Sequence, residues 1–357
     1  MAELQHSNSD THSALVEMTL TRLREFMREP EAVFWTFGFP LLLAAGLGIA
    51  FRSRAPESVR VGVQGTAPAS AAFVTALKSE PRLEVDVLAD DSAAAVALRT
   101  GAVTLVVVPA SSEGGVEYRF DPARPDARTA RLLVDQAVQR AAGRRDPVTV
   151  RESTVRERGS RYIDFLIPGL LALNLMGSGI WSIAFGVVTA RNKKLLKRLV
   201  ATPMSRAEYL LSFLLSRLAF LGVEVGALVG FGMLVFDVPQ RGSLATLALV
   251  TLIASLSFSA MGLLVAARAR TVEAVSGLAN LVMLPMWIFS GIFFSAANFP
   301  NVMQPYIQAL PLTGTVDALR ATMLQGASLA AVSGELALIA VWGIVPFAVA
   351  LRLFRWR

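Results

Sequence analysis

The sequence predicts an all-α membrane protein with six transmembrane helices and an α/β domain inserted between the first two. Three observations lead to this prediction: uncharged runs long enough to cross a bilayer, basic residues confined to alternate loops, and one long loop with the alternating pattern of β-strands. The chain of 357 residues is 54% hydrophobic and 17% charged, with a mean hydropathy of +0.53. Such a composition is too apolar for an ordinary soluble enzyme of this length.

Composition also removes several classes of site. The absence of cysteine excludes disulfides and thiolate metal sites, and the two histidines, His6 and His12, both lie in a polar N-terminal tail. We therefore expect neither a metal site nor a histidine catalyst. A net charge of +7 would suit nucleic acid, but the position of the basic residues along the chain explains it without such a partner.

Six runs match the length of a membrane-spanning helix. Crossing a hydrocarbon core of about 30 Å takes about 20 apolar residues. The runs are 32–51, 165–190, 209–236, 242–267, the first half of 274–316, and 333–354. The first should be a retained anchor, because about 30 residues precede it, as expected of an anchor rather than a signal peptide, and no small-residue cleavage site follows.

The basic residues predict the orientation of these spans. Short cytoplasmic loops retain Lys and Arg, whereas long loops translocate largely regardless of charge. The basic residues lie in four places: before the first span, between the second and third, between the fourth and fifth, and after the sixth. In that order they are Arg22, Arg24 and Arg28; Arg191, Lys193, Lys194, Lys197, Arg198 and Arg206; Arg268 and Arg270; and Arg352, Arg355 and Arg357. Both termini are therefore predicted to be cytoplasmic, with 52–161 outside.

The long loop 52–161 has the pattern of a small folded domain. Residues 59–63, 83–87 and 116–120 alternate apolar and polar side chains as half-buried strands do, and 104–108 is typical of a central strand. Helix-like stretches at 69–78, 92–99 and 126–142 separate them, which predicts an α/β module. It contains no glycine-rich phosphate loop or paired acids, so we expect a lid or docking domain rather than an enzyme.

Before the first span, apolar residues recur at helical spacing. Val16, Leu20, Leu23 and Met27 form one stripe, with charged residues on the other side. The stripe predicts an amphipathic helix along the cytoplasmic leaflet; the alternative is a simple extension of the first span. Pro30 favours a break between them.

Intramembrane charge gives one candidate pathway site. Arg217 and Glu224 lie within the third span, seven residues apart, which places them near one helical face about 10 Å apart along the axis. Glu224 either lines a substrate route or makes a structural contact to a neighbouring helix. Gly177 and Gly179, around Ser178, permit close helix approach.

Five segments of the chain closely resemble the ABC type 2 exporter permease family. In order they read LTRLREFMREPEAVFWTFGFPLL, RYIDFLIPGLLALNLM, KRLVATPMSRAEYLL, LPMWIFSGIFFSAANFP and ALPLTGTVDALRATMLQG. The resemblance covers nearly the whole chain. It implies short re-entrant helices around 298–325, where Pro300, Pro305 and Pro311 would break the uncharged run.

The same resemblance implies an ATP-binding partner. In this family the loop between the second and third spans and the helix before the first dock onto the ATPase, which would involve Arg24, Glu25, Arg28, Arg191, Lys194, Lys197, Arg198, Leu199, Thr202, Pro203, Ser205 and Arg206. ATP and Mg²⁺ would bind that partner. The implied assembly has two permeases and two ATPases, with two copies of this chain expected in preference to two different permeases.

The chain itself lacks the residues for ATP hydrolysis by a Walker A loop. That loop needs a lysine directly after a glycine. None of Lys78, Lys193, Lys194 and Lys197 follows one. We therefore predict no catalytic, cofactor-binding or metal-ligating residue here.

The sequence is thus interpreted as the permease subunit of an ABC exporter in the bacterial inner membrane, moving an amphiphilic or lipid-like substrate out of the cytoplasm or inner leaflet. Its predicted segments are a tail and interfacial helix (1–30), the first span (31–51), the external domain (52–161) and the remaining spans (162–357). The alternatives are an ion-gradient-driven transporter, which would favour internal repeats that are not seen, and a membrane-anchored receptor.

Overall fold

The computed structural model describes residues 3–51, 58–65, 68–109, 115–122, 124–144, 159–194 and 206–353. The chain divides into two compact units. One consists of Met1–Arg52 with Arg156–Arg357, and the other is Ser53–Val155. The first unit is almost entirely helical and holds the predicted spans.

Six helices in the described residues are long and apolar enough to cross a membrane, which confirms the predicted number of spans. They are Pro30–Ala50, Tyr162–Asn192, Leu211–Phe236, Leu244–Arg268, Val272–Phe289 and Ser333–Leu353. We call them the first to the sixth span. The third span is the apolar part of a longer helix, Arg206–Phe236.

The first span is irregular, and its irregularity shapes the site described below. The N-terminal helix, Glu3–Arg28, ends before Glu29, whose extended backbone precedes Pro30 as proline demands. The span then continues through a π-helical segment, Phe34–Gly38, into Phe39–Ala50. A π-helical turn frees a backbone carbonyl from the regular ladder. Here the carbonyl of Thr36 accepts a hydrogen bond from the Asn174 amide at 3.1 Å.

The second and fourth spans form the centre of the membrane unit, and glycines let them touch. A Cβ added at Gly179 would lie 2.8 Å from the Cβ of Phe258, and one added at Gly262 would lie 2.8 Å from the carbonyl of Ile180. The sixth span packs on the other side of the fourth, where Gly343 faces Ser257. The predicted close approach at Gly179 is therefore an intramolecular crossing, of the small-residue kind found in membranes.

The uncharged run after the fifth span folds into short helices that lead to a buried one. Two 3₁₀ turns, Ala296–Asn298 and Asn301–Met303, precede the helices Gln304–Gln308 and Pro311–Gln325. The three prolines that were predicted to break this run each lie at the start of one of these elements. At such a position the missing N–H costs no hydrogen bond within the helix. In the penultimate helix, Pro311–Gln325, Arg320 donates to the carbonyl of Gly291 at 2.7 Å and stacks 3.4 Å from the Phe165 ring.

The second unit is a four-stranded sheet with helices on both faces. Its strands are β1 (Val59–Gln64), β2 (Leu83–Leu88), β3 (Leu105–Pro109) and β4 (Val116–Arg119), in the order β2-β1-β3-β4. Only β4 is antiparallel to its neighbour. Its helices are Pro68–Lys78, Asp91–Thr100 and Pro125–Ala141.

These strands and helices of the second unit agree with the predicted segments to within about two residues. Val61, Val63, Leu105 and Val107 are fully buried on one face of the sheet, against Leu77 and Val134 of two helices. Burial, with the charge of Asp135 beside it, raises the pKa of Tyr118 to about 12. The extracellular location of this unit stays a prediction.

Candidate functional site

A cavity of about 1100 Å³ opens within the membrane unit. It lies between the N-terminal helix and the first, second, third and fifth spans. Aromatic side chains from four of these elements form much of its wall: Trp35, Phe39, Trp181, Phe220 and Trp287. The cavity thus offers a large apolar surface at the depth of the bilayer.

The second span supplies a polar strip along the same cavity. Asn174, Ser178 and Ser182 recur every four residues, which places them on one helical face. Asn174 is held by the π-helical segment of the first span. The cavity therefore has both apolar and hydrogen-bonding walls.

Arg217 and Glu224, the predicted pathway pair, are joined to each other and to this strip. An Arg217 Nη2 atom lies 2.5 Å from Glu224 Oε2, and it donates to Ser178 Oγ at 2.6 Å. The Ser178 hydroxyl lies 2.8 Å from the other Glu224 oxygen, to which it can donate. Arg217 and Ser178 line the cavity, with Glu224 behind them in the protein. The pair is therefore neutralised locally, and it links the third span to the second.

The N-terminal helix packs on the third span through a face that the sequence did not single out. Arg22 donates from Nε to Ser212 Oγ at 3.1 Å, and its guanidinium carbon lies 3.2 Å from the centre of the Phe213 ring. One turn on, Phe26 contacts Phe220, with ring centres 4.4 Å apart. The predicted apolar stripe points elsewhere: Val16, Leu20 and Met27 are exposed.

Arg191, a predicted ATPase-coupling residue, binds the end of the fourth span. Its Nη1 donates to the carbonyls of Ala266, at 3.1 Å, and of Ala269, and its Nη2 lies 3.4 Å from the carbonyl of Ala267. These carbonyls belong to the last turn of a helix, where the backbone lacks intrahelical donors and the dipole favours a cation. Arg191 thus ties the end of the second span to the end of the fourth.

The remaining predicted coupling residues fall into two groups. Six of them lie outside the described residues: Lys197, Arg198, Leu199, Thr202, Pro203 and Ser205. Arg206 is the first residue of the helix that contains the third span, Arg206–Phe236, and its side chain is not described. Arg24, Glu25, Arg28 and Lys194 are exposed, and Glu25 also lines the cavity. Lys194 has a left-handed backbone, φ +56°, which turns the chain out of the second span. Docking to a partner stays a prediction for all of these residues.

Sequence reasoning missed the cavity, the π-helical segment and the cap by Arg191. The four-residue spacing of Asn174, Ser178 and Ser182 is the one local signal that points to the cavity wall. The contacts of Arg191 join residues more than 70 positions apart, and no local pattern reports them. Within the described residues, no cluster of His, Cys, Asp and Glu is placed to hold a metal ion.

The comparisons with known proteins agree with this architecture. The family described as ABC-2 family transporter protein matches residues 31–352. The chain is 25% identical to Nodulation protein J of Bradyrhizobium diazoefficiens over 57% of its own length and 77% of that protein. It is 24% identical to the Inner membrane transport permease YadH of Escherichia coli K12, over 56% of this chain and 75% of the permease.

A longer relative extends the comparison to eukaryotes. The chain is 27% identical to ABC transporter G family member 20 of Dictyostelium discoideum over 51% of its length, a stretch that spans only 25% of that protein. The family match covers most of the chain and all six spans apart from one residue at each end, Pro30 and Leu353. The chain belongs to the ABC-2 transporter family, and it is a multi-pass transmembrane subunit of an ABC transporter.

Proposed function

We propose that this chain is the permease of an exporter that moves an amphiphilic, lipid-like substrate out of the cytoplasm or the inner leaflet. The observation that carries the proposal is the cavity, because it combines an aromatic wall with a polar strip at the depth of the bilayer. Its volume of about 1100 Å³ lies just above the usual range for ligand pockets. Such a site suits a molecule with both an apolar body and a polar head.

The energy for transport comes from ATP and Mg²⁺ bound to a separate ATP-binding subunit. Family membership supports such a partner. Residues 195–205, predicted to dock onto the partner, begin four residues after Arg191 in the sequence, and Arg191 contacts the end of the fourth span. A displacement of the loop by the partner would thereby reach two spans at once. Coupling of this kind converts a partner's closure into a tilt of packed helices.

The assembly we propose has two copies of this chain and two ATP-binding subunits in the bacterial inner membrane. Two-fold symmetry is the commonest arrangement of such oligomers. A relative bears the name inner membrane transport permease, which supports the location. The basic loops support cytoplasmic termini, and the unit Ser53–Val155 would then lie outside.

The direct test is capture of the ATP-binding subunit from cells that express the tagged chain. We expect a co-purifying ATPase that carries a Gly-Lys-Ser/Thr phosphate loop. Charge reversal by Lys197→Glu and Arg198→Glu should abolish the association. The matched control, Arg268→Glu with Arg270→Glu, reverses two exposed charges in the other short basic loop and should leave it intact.

Direction is tested in inside-out vesicles loaded with a fluorescent lipid analogue in the outer leaflet. An exporter should move the analogue inward to the lumen when ATP is supplied. Movement driven by an ion gradient without ATP would instead support the gradient-driven transporter. Absence of any ATPase partner together with absence of transport would favour the membrane-anchored receptor.

A further inference from the structure

The first part of the first span has a helix break at each end. Before it, Glu29 has an extended backbone, so the N-terminal helix does not continue into the span. At the other end, the π-helical segment Phe34–Gly38 interrupts the regular α-helix. We call residues 30–38 the strap. Because hinges are short stretches at the ends of elements, a piece of chain between two such breaks can pivot without unfolding its neighbours.

The strap is held before and after, but hardly along its own length. The N-terminal helix before it packs on the third span, where the rings of Phe26 and Phe220 are 4.4 Å apart. After it, Gly48 lies so close to the second span that an added Cβ would be 3.0 Å from Ile163 Cδ1. All residues of the strap are described, and none of them is buried. A segment with few buried contacts moves at low cost.

Asn174 makes the one side-chain hydrogen bond that reaches the strap from the described residues of another span. Its amide donates to the carbonyl of Thr36 at 3.1 Å. That carbonyl lacks the usual intrahelical donor, because the residue four positions on is Pro40, which has no N–H. The amide also gains from the bond, since an unsatisfied polar group is costly at hydrocarbon depth. The strap is therefore pinned to the second span at a single polar contact.

This contact belongs to a chain of polar groups that ends at the ion pair. Ser178, one turn after Asn174, lies within hydrogen-bonding distance of the Asn174 backbone carbonyl. The same hydroxyl lies 2.8 Å from a Glu224 oxygen and accepts from Arg217 at 2.6 Å. One turn of the second span thus connects the strap to the charged pair of the third span. A change at either end of this chain can reach the other.

We propose that the strap is the moving part of the cavity wall, and that Asn174 is the positioning residue that latches it. Breaking one hydrogen bond between neutral groups shifts an equilibrium by about tenfold. Binding of a partner or a substrate is therefore strong enough to release the latch. Because Trp35 and Thr36 of the strap line the cavity, its pivoting changes the width of the cavity. The inference rests on the proposed function, since it takes this cavity as the transport route.

The first test measures distances in the full-length chain in lipid nanodiscs and needs neither ATPase nor substrate. The chain has no cysteine, so spin labels are placed by Glu31→Cys in the strap, Ile49→Cys after it and Ile344→Cys in the sixth span, at three exposed positions. Labelled chains are diluted with unlabelled ones. Asn174→Ala and Asn174→Leu should each shift the 31–344 distance by several ångströms and leave the 49–344 distance unchanged. Leucine is branched like asparagine but has no donor, so a common effect of both variants reports the lost bond.

Ser182→Ala is the matched control for these distances. Ser182 lies on the same face of the second span and lines the cavity, but it makes no hydrogen bond within the described residues. Both distances should remain those of the parent. An unchanged 31–344 distance in the Asn174 variants would overturn the latch. Equal changes in the two distances would also overturn it, because the whole span would then have loosened.

The second test determines whether the latch serves transport. In the complex with the captured ATPase, ATP should shift the 31–344 distance of the parent in the direction that the Asn174 variants show without ATP. These variants should also slow ATP-driven movement of the lipid analogue about tenfold at an unchanged thermal midpoint. Ser276→Ala, which removes a bond to the Val272 carbonyl away from the cavity, should not slow it.

The outcomes separate this inference from the function on which it rests. A parent distance that ATP leaves unchanged, or full transport by the Asn174 variants, would make Asn174 a purely structural contact and overturn the inference. Neither result would affect the exporter assignment. If the parent itself moves no lipid analogue, the exporter assignment fails, while the distances in the isolated chain still decide whether Asn174 latches the strap.

Discussion

The second and fourth spans differ from the first and fifth in packing rather than in apolarity. Their most apolar windows are 56% and 67% buried, against 17% for both the first and the fifth, although all four have mean hydropathies between 1.6 and 2.1. The central spans cross at Gly179 and Gly262 and form a scaffold with the sixth span. The first and fifth spans are walls of the cavity with few internal contacts. Mean hydropathy identifies the spans, whereas small residues at helix crossings determine which spans pack tightly against each other.

The largest effect should come from breaking the ion pair within the third span, which Ser178 connects to the scaffold. Glu224→Leu leaves Arg217 buried without its counter-charge, so we expect a loss of about 3–5 kcal/mol in the free energy of unfolding. The double variant Arg217→Met with Glu224→Leu should recover most of that loss. Unfolding in mixed micelles measures both. A single variant as stable as the double would contradict the contact described here.

Glu224→Gln addresses transport rather than stability. Glutamine keeps the hydrogen bond from Ser178, so the folded fraction should remain measurable. If transport by the folded variant is unchanged for every substrate tried, Glu224 has only a structural role. If transport is lost while stability is kept, Glu224 takes part in the substrate route.

The same substitution should lower the free energy of unfolding more in a scaffold span than in a wall span. Leu171 of the second span is fully buried, whereas Leu281 of the fifth is 70% exposed. Leu171→Ala should cost about 2–3 kcal/mol through lost packing, near the low end for buried leucine because lipid is as apolar as the side chain. Leu281→Ala should stay within about 0.5 kcal/mol. Similar costs for the two variants would remove the distinction between scaffold and walls.

The glycine crossing makes a sharper test of the scaffold alone. Gly179→Ala places a methyl group 2.8 Å from the Phe258 Cβ, so the spans must separate, at about 1–3 kcal/mol. Gly177→Ala is the control, because no atom lies within 4 Å of its added Cβ. The thermal midpoint in detergent should fall for the first variant only. A fall for Gly177→Ala as well would point to the cavity, which Gly177 lines, instead of the crossing, since helix propensity alone favours alanine over glycine.

The smallest expected effect concerns Arg191 and is local. Arg191→Ala removes the cap from the fourth span, which should speed amide hydrogen exchange at residues 266–275 by about tenfold, equivalent to about 1–2 kcal/mol of local opening. Lys194→Ala, three residues on, should leave that exchange unchanged. The isolated chain suffices for this measurement. Unchanged exchange in Arg191→Ala, with weaker capture of the ATPase, would make Arg191 a docking contact instead.

Much of this architecture was predictable because its causes are local. Uncharged runs and basic loops located the spans, alternation located β1, β2 and β4, and a continuous apolar run located β3. The prolines at 300, 305 and 311 marked the starts of short helices. The cavity was not predictable, since it arises from helices far apart in sequence. The N-terminal helix shows why local patterns do not suffice. Its apolar stripe was visible in the sequence, yet it is Arg22 and Phe26, on another face, that contact the third span. Their partners, Ser212 and Phe220, are almost 200 residues away along the chain.

The most direct test of the distinction between scaffold and walls is a pair of distance measurements by spin labelling, because a displaced scaffold should tilt as one body while the less buried walls change their separation. The chain has no cysteine, so labels can be placed freely. Leu42 and Leu281 report the walls, and Leu244 and Ile344 the scaffold; all four are more than 60% exposed. Labelled chains diluted with unlabelled ones are measured in the complex with the captured ATPase, with and without ATP. We predict that ATP changes the wall distance by several ångströms and leaves the scaffold distance unchanged; a changed scaffold distance with an unchanged wall distance would contradict the account.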